Sequence, residues 1–216
     1  RQLLQGATSA ITSGKLPLKN QVLFASSAAR VAWAARVNPI PCLEFLKKNM
    51  SEIERLPAKQ RYFVYVELDI LFRDFHGPSS DSFASLKDRA SDYLQKDAEK
   101  DLKKWQSGLP EDAIYDRCDC LRKMAVLRRS RTPYDHESVV DIQKNAVRLY
   151  HDSGLYLDEL YTRQDIMDEL LDVRNRDEDY RPVYADELRE QMSSAEELLS
   201  SLEGHPAPVS YTHLTL

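Results

Sequence analysis

Apolar positions recur at three- and four-residue spacing along most of this chain, and prolines and glycines fall between the periodic stretches rather than inside them. Residues 17–36 carry Val22, Leu23, Ala25, Ala29, Ala32 and Trp33, a broad apolar surface of mainly small side chains. Asn38-Pro39-Ile40-Pro41 must break that helix, because each proline removes a donor and biases the residue before it away from the α region. A second helix is predicted from Pro41 to just before Pro57, with Leu43, Leu46, Met50 and Ile53 on one face.

The segment 59–76 reads two ways. Tyr62, Val64, Val66, Leu68, Ile70 and Phe72 alternate like a strand, while Val64, Leu68, Leu71 and Phe75 keep helical spacing. Its length favours a helix, since strands average about five or six residues and no partner strand is in sight. A single long helix is predicted over 80–106, with Phe83, Leu86, Ala90, Tyr93, Leu94, Ala98, Leu102 and Trp105 on its dry side. The stretch 109–131 has Pro110 at the first helical position, Glu111 and Asp112 against the positive dipole end, and Ile114, Cys118, Leu121 and Ala125 facing a core widened by Tyr115 and Met124. Three more helices follow: one through Val139, Ile142, Ala146 and Leu149 that Gly154 can cap, one over 156–174, and one over 185–202 suited to lie on another subunit. The fold expected is all-α, an irregular array of about eight helices with Pro-rich connections. Its divisions are a basic segment and Ala-rich helix at 1–38, a helical domain at 39–204, and a disordered or artefactual tail at 205–216, whose last residues resemble translated read-through of a sequencing adapter.

Charge refines this outline. The net charge is −5, yet the first acid is Glu44, preceded by Arg1, Lys15, Lys19, Arg30 and Arg36. An acid-free start rich in Ser, Ala and Leu has the composition of a mitochondrial transit peptide or its remnant. Residues 158–203 hold 15 acids against five arginines, which makes nucleic acid an unsuitable partner. No apolar run approaches the roughly 20 residues of a membrane span. The three cysteines and five histidines show no ligand spacing; Cys118 and Cys120 diverge by about 200° on a helix, so no metal is expected. No phosphate-binding glycine loop, nucleophile elbow or zinc-protease motif occurs, and Asp135-His136-Glu137 fits helix capping better than acid–base chemistry. No cofactor and no catalysis are expected.

The candidate chemistry is instead cationic. Arg117, Arg122, Lys123, Arg128, Arg129 and Arg131 flank the core face of the 109–131 helix and crowd its last turns, where they could grip carboxylates of a partner or anionic lipid head groups. On that reading, replacing Arg128 and Arg129 by Glu weakens assembly and spares the fold.

The same stretch carries a family resemblance. Leu109-Pro110-Glu111-Asp112, Tyr115, Arg117, Arg122, Ala125 and Pro133, with Tyr156-Leu157-Asp158-Glu159-Leu160-Tyr161 downstream, resemble the core of subunit seven of mitochondrial ubiquinol–cytochrome c reductase (complex III) over about 109–175. Glu159 stands where that family has a second proline, and the gap between the two blocks is longer here. The resemblance implies a non-catalytic accessory subunit on the matrix side of the inner membrane, touching other subunits and supporting assembly. A lineage-specific helical subunit of mitochondrial ATP synthase or of another respiratory complex is the alternative.

Overall fold

The computed structural model describes residues 16–76, 78–130, 135–176 and 182–202, and every regular element among them is helical. The tail at 205–216, the first fifteen residues, Gly77, Arg131, the 132–134 turn and Gly204 lie outside the described residues. Contacts gather the chain into two compact units, residues 1–110 and 111–216. The break expected at 38 is not where they divide, because the Ala-rich helix packs on the helices that follow it.

In the first unit, α1 (Leu18–Ala34) buries Val22, Ala25, Ala29 and Ala32 and packs against α4 (Ala58–Asp74). Small side chains let the two backbones approach. At the end of α1, Arg36 adopts φ 54°, and the Val37 N–H donates to the Ala32 carbonyl at 2.7 Å. This is a Schellman stop with arginine where glycine is usual. The segment expected as one helix from 41 to 56 is two, α2 (Ile40–Lys48) and α3 (Met50–Arg55). Asn49 separates them, its side-chain amide donating to the Phe45 carbonyl at 2.7 Å. Leu56 is extended before Pro57, as the proline ring requires.

Helical spacing prevails over alternation in α4. Tyr62, Val64, Tyr65, Leu68, Leu71 and Phe72 are buried, whereas Ile70, which only the strand reading placed inside, is exposed. This helix is the hub of its unit, touched by α1, α3, α5 (Ala84–Lys96) and α6 (Ala98–Ser107), with a single helical turn, Pro78–Asp81, preceding α5. The expected single helix over 80–106 therefore bends at Asp97. The reason is a slip in phase: Leu86, Ala90 and Tyr93 form one buried stripe, Ala98, Leu102 and Trp105 another, and a straight helix cannot turn both onto α4. The two breaks raise the number of described helices from the expected eight to ten.

The second unit is a succession of antiparallel neighbours, α7 (Ile114–Arg129), α8 (His136–Asp152), α9 (Tyr156–Arg176) and α10 (Pro182–Leu202), joined by short links. α7 starts at Ile114 rather than at Pro110. Glu111 and Asp112 sit in a turn ahead of it, and Asp116 is the acid of its first turn. Cys118, Leu121, Met124 and Ala125 are buried as expected, but Tyr115 is 59% exposed, its ring meeting Tyr150 only edge-on. Asp135 caps α8 by accepting from the Ser138 N–H at 3.1 Å, and Gly154 (φ 68°) ends it, with the Leu155 N–H donating to the Tyr150 carbonyl at 2.9 Å. Val140 and Val147 of α8, Ile166 and Leu170 of α9 and Tyr184 of α10 close the core. No described helix is long and apolar enough to cross a membrane.

Candidate functional site

The basic cluster expected on α7 is present, and most of it is already engaged within its own unit. Arg129 reaches α9, where its Nε donates at 2.5 Å to Glu169, a carboxylate otherwise closed off from solvent. Arg128 donates to the Ser138 hydroxyl at 2.6 Å and lies 3.8 Å from Asp135. Lys123 pairs with Asp119, one turn back on the same helix. Arg117 donates to the Glu111 carbonyl at 3.2 Å. Arg122 is the most outward of these, at 4.0 Å from Asp119, and Arg131 lies outside the described residues. Arg128 and Arg129 therefore tie α7 to α8 and α9, whereas Arg117, Arg122 and Lys123 meet partners on their own stretch. Reversing Arg129 would set a second carboxylate against buried Glu169, so the double replacement by Glu is expected to destabilise the second unit rather than to spare the fold.

The densest charged arrangement lies elsewhere, in the first unit, and the sequence reading did not single it out. Arg61 of α4 grips Asp101 of α6 through two parallel bonds of 2.6 Å, and a third donor, Nη1, reaches the Glu54 carbonyl at 2.6 Å. The Tyr93 hydroxyl of α5 donates to the same Asp101 carboxylate at 2.8 Å. Beside it, Arg89 of α5 grips Glu54 of α3 at 2.7 and 3.0 Å, and the Tyr65 hydroxyl donates to that carboxylate at 2.5 Å. The Tyr65 and Tyr93 rings stack between the two pairs at 4.4 Å. Four helices thus meet through two carboxylates, two guanidiniums and two phenols.

Electrostatics follow from this geometry. Arg89's hydrogen bonds hold the Glu54 carboxyl below the ordinary range against the opposing effect of burial, and Tyr65 adds to them. Burial pushes the Asp101 carboxyl up, but the bonds from Arg61 and Tyr93 outweigh it and leave it lowered. Burial pushes both tyrosines above their usual value, reinforced by the carboxylates they donate to. Carboxylates held ionised by paired guanidiniums make poor proton donors. The arrangement suits joining helices better than moving protons.

A polar chain does similar work in the second unit. Glu159 of α9 is buried and takes bonds of 2.9 Å from Arg163 and 3.0 Å with His151; Arg163 also donates to Gln191 of α10 at 2.8 Å. Gln191 donates to Glu187 at 2.8 Å, and Glu187 pairs with Lys144 of α8. Cys42, Cys118 and Cys120 are buried, and burial pushes the Cys42 and Cys118 thiols up, away from reactivity. Among the described residues no group of three His, Cys, Asp or Glu could hold a metal. An open groove of about 800 Å³ lies on the first unit between the ends of α1 and α4, where Trp33, Ile70 and Phe75 sit among Arg30, Arg36 and Asp74.

Periodicity did contain a signal for these residues. Arg61 shares a stripe with Tyr65, Leu68 and Phe72, Asp101 with Ala98 and Trp105, Arg89 with Leu86 and Tyr93, and Glu159 with Ile166 and Leu170. A charge standing in an apolar stripe is a charge about to be buried, and opposite signs on neighbouring helices are its natural partners. No protein-family model, curated protein or solved structure matches the chain.

Proposed function

We propose that this chain is a non-catalytic accessory subunit of a mitochondrial inner-membrane respiratory complex, ubiquinol–cytochrome c reductase in the first instance, where it supports assembly from the matrix side. One observation carries the reading. The stretch resembling subunit seven begins at 109 and ends near 175, and the second compact unit begins at 111 and keeps α7 to α9 together up to Arg176. The resemblance therefore falls within one packing unit and covers three of its four described helices, and the residues before it belong to a separate unit. The acid-free, basic start of the sequence supports the mitochondrial location. The arginine-paired carboxylates of both units support a structural role over a chemical one.

The deciding experiment is to express the full chain with an affinity tag in its native cell, extract membranes gently, and identify what migrates with it on a native gel. Co-migration with cytochrome b and the other complex III subunits is the expected result. Migration with ATP synthase, or as a lone monomer, overturns this assignment.

A further inference from the structure

We infer that the outer end of α10 is a docking surface for a cationic amphipathic helix of a partner protein. The buried residues of α10 all lie in its first half. Tyr184 is buried in the core, Leu188 packs against it, and Gln191 is the last buried residue. From there the helix continues through residues 192–202, roughly 16 Å at 1.5 Å per residue, with no fully buried residue and with Ser194, Ala195, Leu198 and Leu202 only half-buried. Its apolar stripe continues too: Met192, Ala195, Leu199 and Leu202 follow Leu188 at alternating intervals of four and three, the spacing of a helix-pairing seam. Met192 is 48% exposed and Leu199 54%.

Charge decides what covers the stripe. Glu190, Glu196 and Glu197 flank it, no Lys or Arg follows Arg189, and the last turn holds no basic residue. A helix C-terminus carries a partial negative charge, so Glu196 and Glu197 lie toward the unfavourable end of their own dipole, and with Met192 and Leu199 exposed these turns have little packing to hold them. A partner that supplies an apolar stripe edged with Lys or Arg corrects both defects together. A second copy brings the same uncompensated carboxylates, while anionic lipid and nucleic acid bring more negative charge. The inference rests on the reading of this chain as a subunit held by neighbours, and it names the chemistry of one neighbour.

The test uses the full chain and an 18-residue Lys/Leu amphipathic helical peptide as the probe, with a Glu/Leu counterpart of the same pattern. Binding of the Lys/Leu peptide is expected, weakening as salt rises. Met192→Ser with Leu199→Ser, and separately Glu196→Lys with Glu197→Lys, should each weaken it at least tenfold. Both pairs lie at or near exposed positions, and an unchanged far-UV spectrum and melting curve show that each variant is folded. Equal binding by the variants, equal binding of the Glu/Leu peptide, or a dimer in sedimentation that Leu199→Ser dissolves, overturns the inference. None of these results bears on which complex the chain migrates with, so the two readings fail separately.

Discussion

Replacing Asp101 by Asn keeps the shape of the side chain and removes its charge, which makes it the sharpest probe of the paired network. The carboxylate is 7% exposed and takes three hydrogen bonds, two from Arg61 and one from Tyr93. Breaking a fully buried ion pair from one side costs about 3–5 kcal/mol. The Arg61 side chain keeps 22% of its surface in solvent and its bond to the Glu54 carbonyl, and the amide oxygen can still accept from Tyr93. The expected loss for Asp101→Asn is therefore about 2 kcal/mol. Arg61→Met leaves the better-buried partner charged and unmatched, and should cost about 3 kcal/mol or more. Combined, the two substitutions should cost at least about 1 kcal/mol less than their sum.

Both tryptophans, Trp33 and Trp105, lie in the first unit, so tryptophan fluorescence during urea unfolding follows that unit while circular dichroism follows the whole chain. With a urea slope of about 2 kcal/mol per molar, the Asn variant should move the fluorescence midpoint down by about 1 M. The pH dependence has a definite sign. Asp101 binds its proton more weakly folded than unfolded, so its contribution is complete above the ordinary carboxylate range and disappears as pH falls through the lowered value. Below about pH 4 the native protein should lose stability more steeply than the Asn variant. A midpoint unchanged within error, additive losses in the double variant, or parallel acid profiles would each refute a paired, desolvated Asp101.

Arg36→Gly relieves the positive φ at the end of α1 and should raise the fluorescence midpoint, by up to about 1 kcal/mol of stability; a lowered midpoint would show that the arginine side chain contributes more than its backbone costs. Glu159→Gln removes the charge that Arg163 and His151 share and should destabilise the second unit by about 1–3 kcal/mol, seen by circular dichroism with the fluorescence transition unmoved. A thiol reagent should titrate no cysteine in the native chain and all three in urea, because Cys42, Cys118 and Cys120 are buried; fast reaction of any one under native conditions contradicts its burial. Arg129→Glu should destabilise the second unit by about 2 kcal/mol or more, whereas Arg122→Glu, at the outward position, should leave its thermal transition within about 0.5 kcal/mol.

Fold class was written in the spacing of apolar residues, because an amphipathic helix records its buried face in one dimension. Val64, Leu68 and Leu71 predicted α4 correctly, Asp135 and Gly154 announced the two ends of α8, and the prolines marked where helices had to stop. The breaks at Asn49 and Asp97 were hidden. A helix can be continued through Asn or Asp at small local cost; the chain bends at Asp97 because the stripes on either side must both reach α4, and at Asn49 the helices on either side both pack on α1 while only α3 also reaches α4. The site was legible in kind but not in detail. Arginines near the end of α7 were visible as charge, yet which of them turn toward Glu169, Asp135 or solvent depends on how α8 and α9 lie across that helix. Glu54, Arg61, Arg89 and Asp101 stand well apart along the chain and become one network only when four helices meet. A sequence sets the face on which a charge stands; the packing of the other helices decides whether that face meets water or a partner of opposite sign.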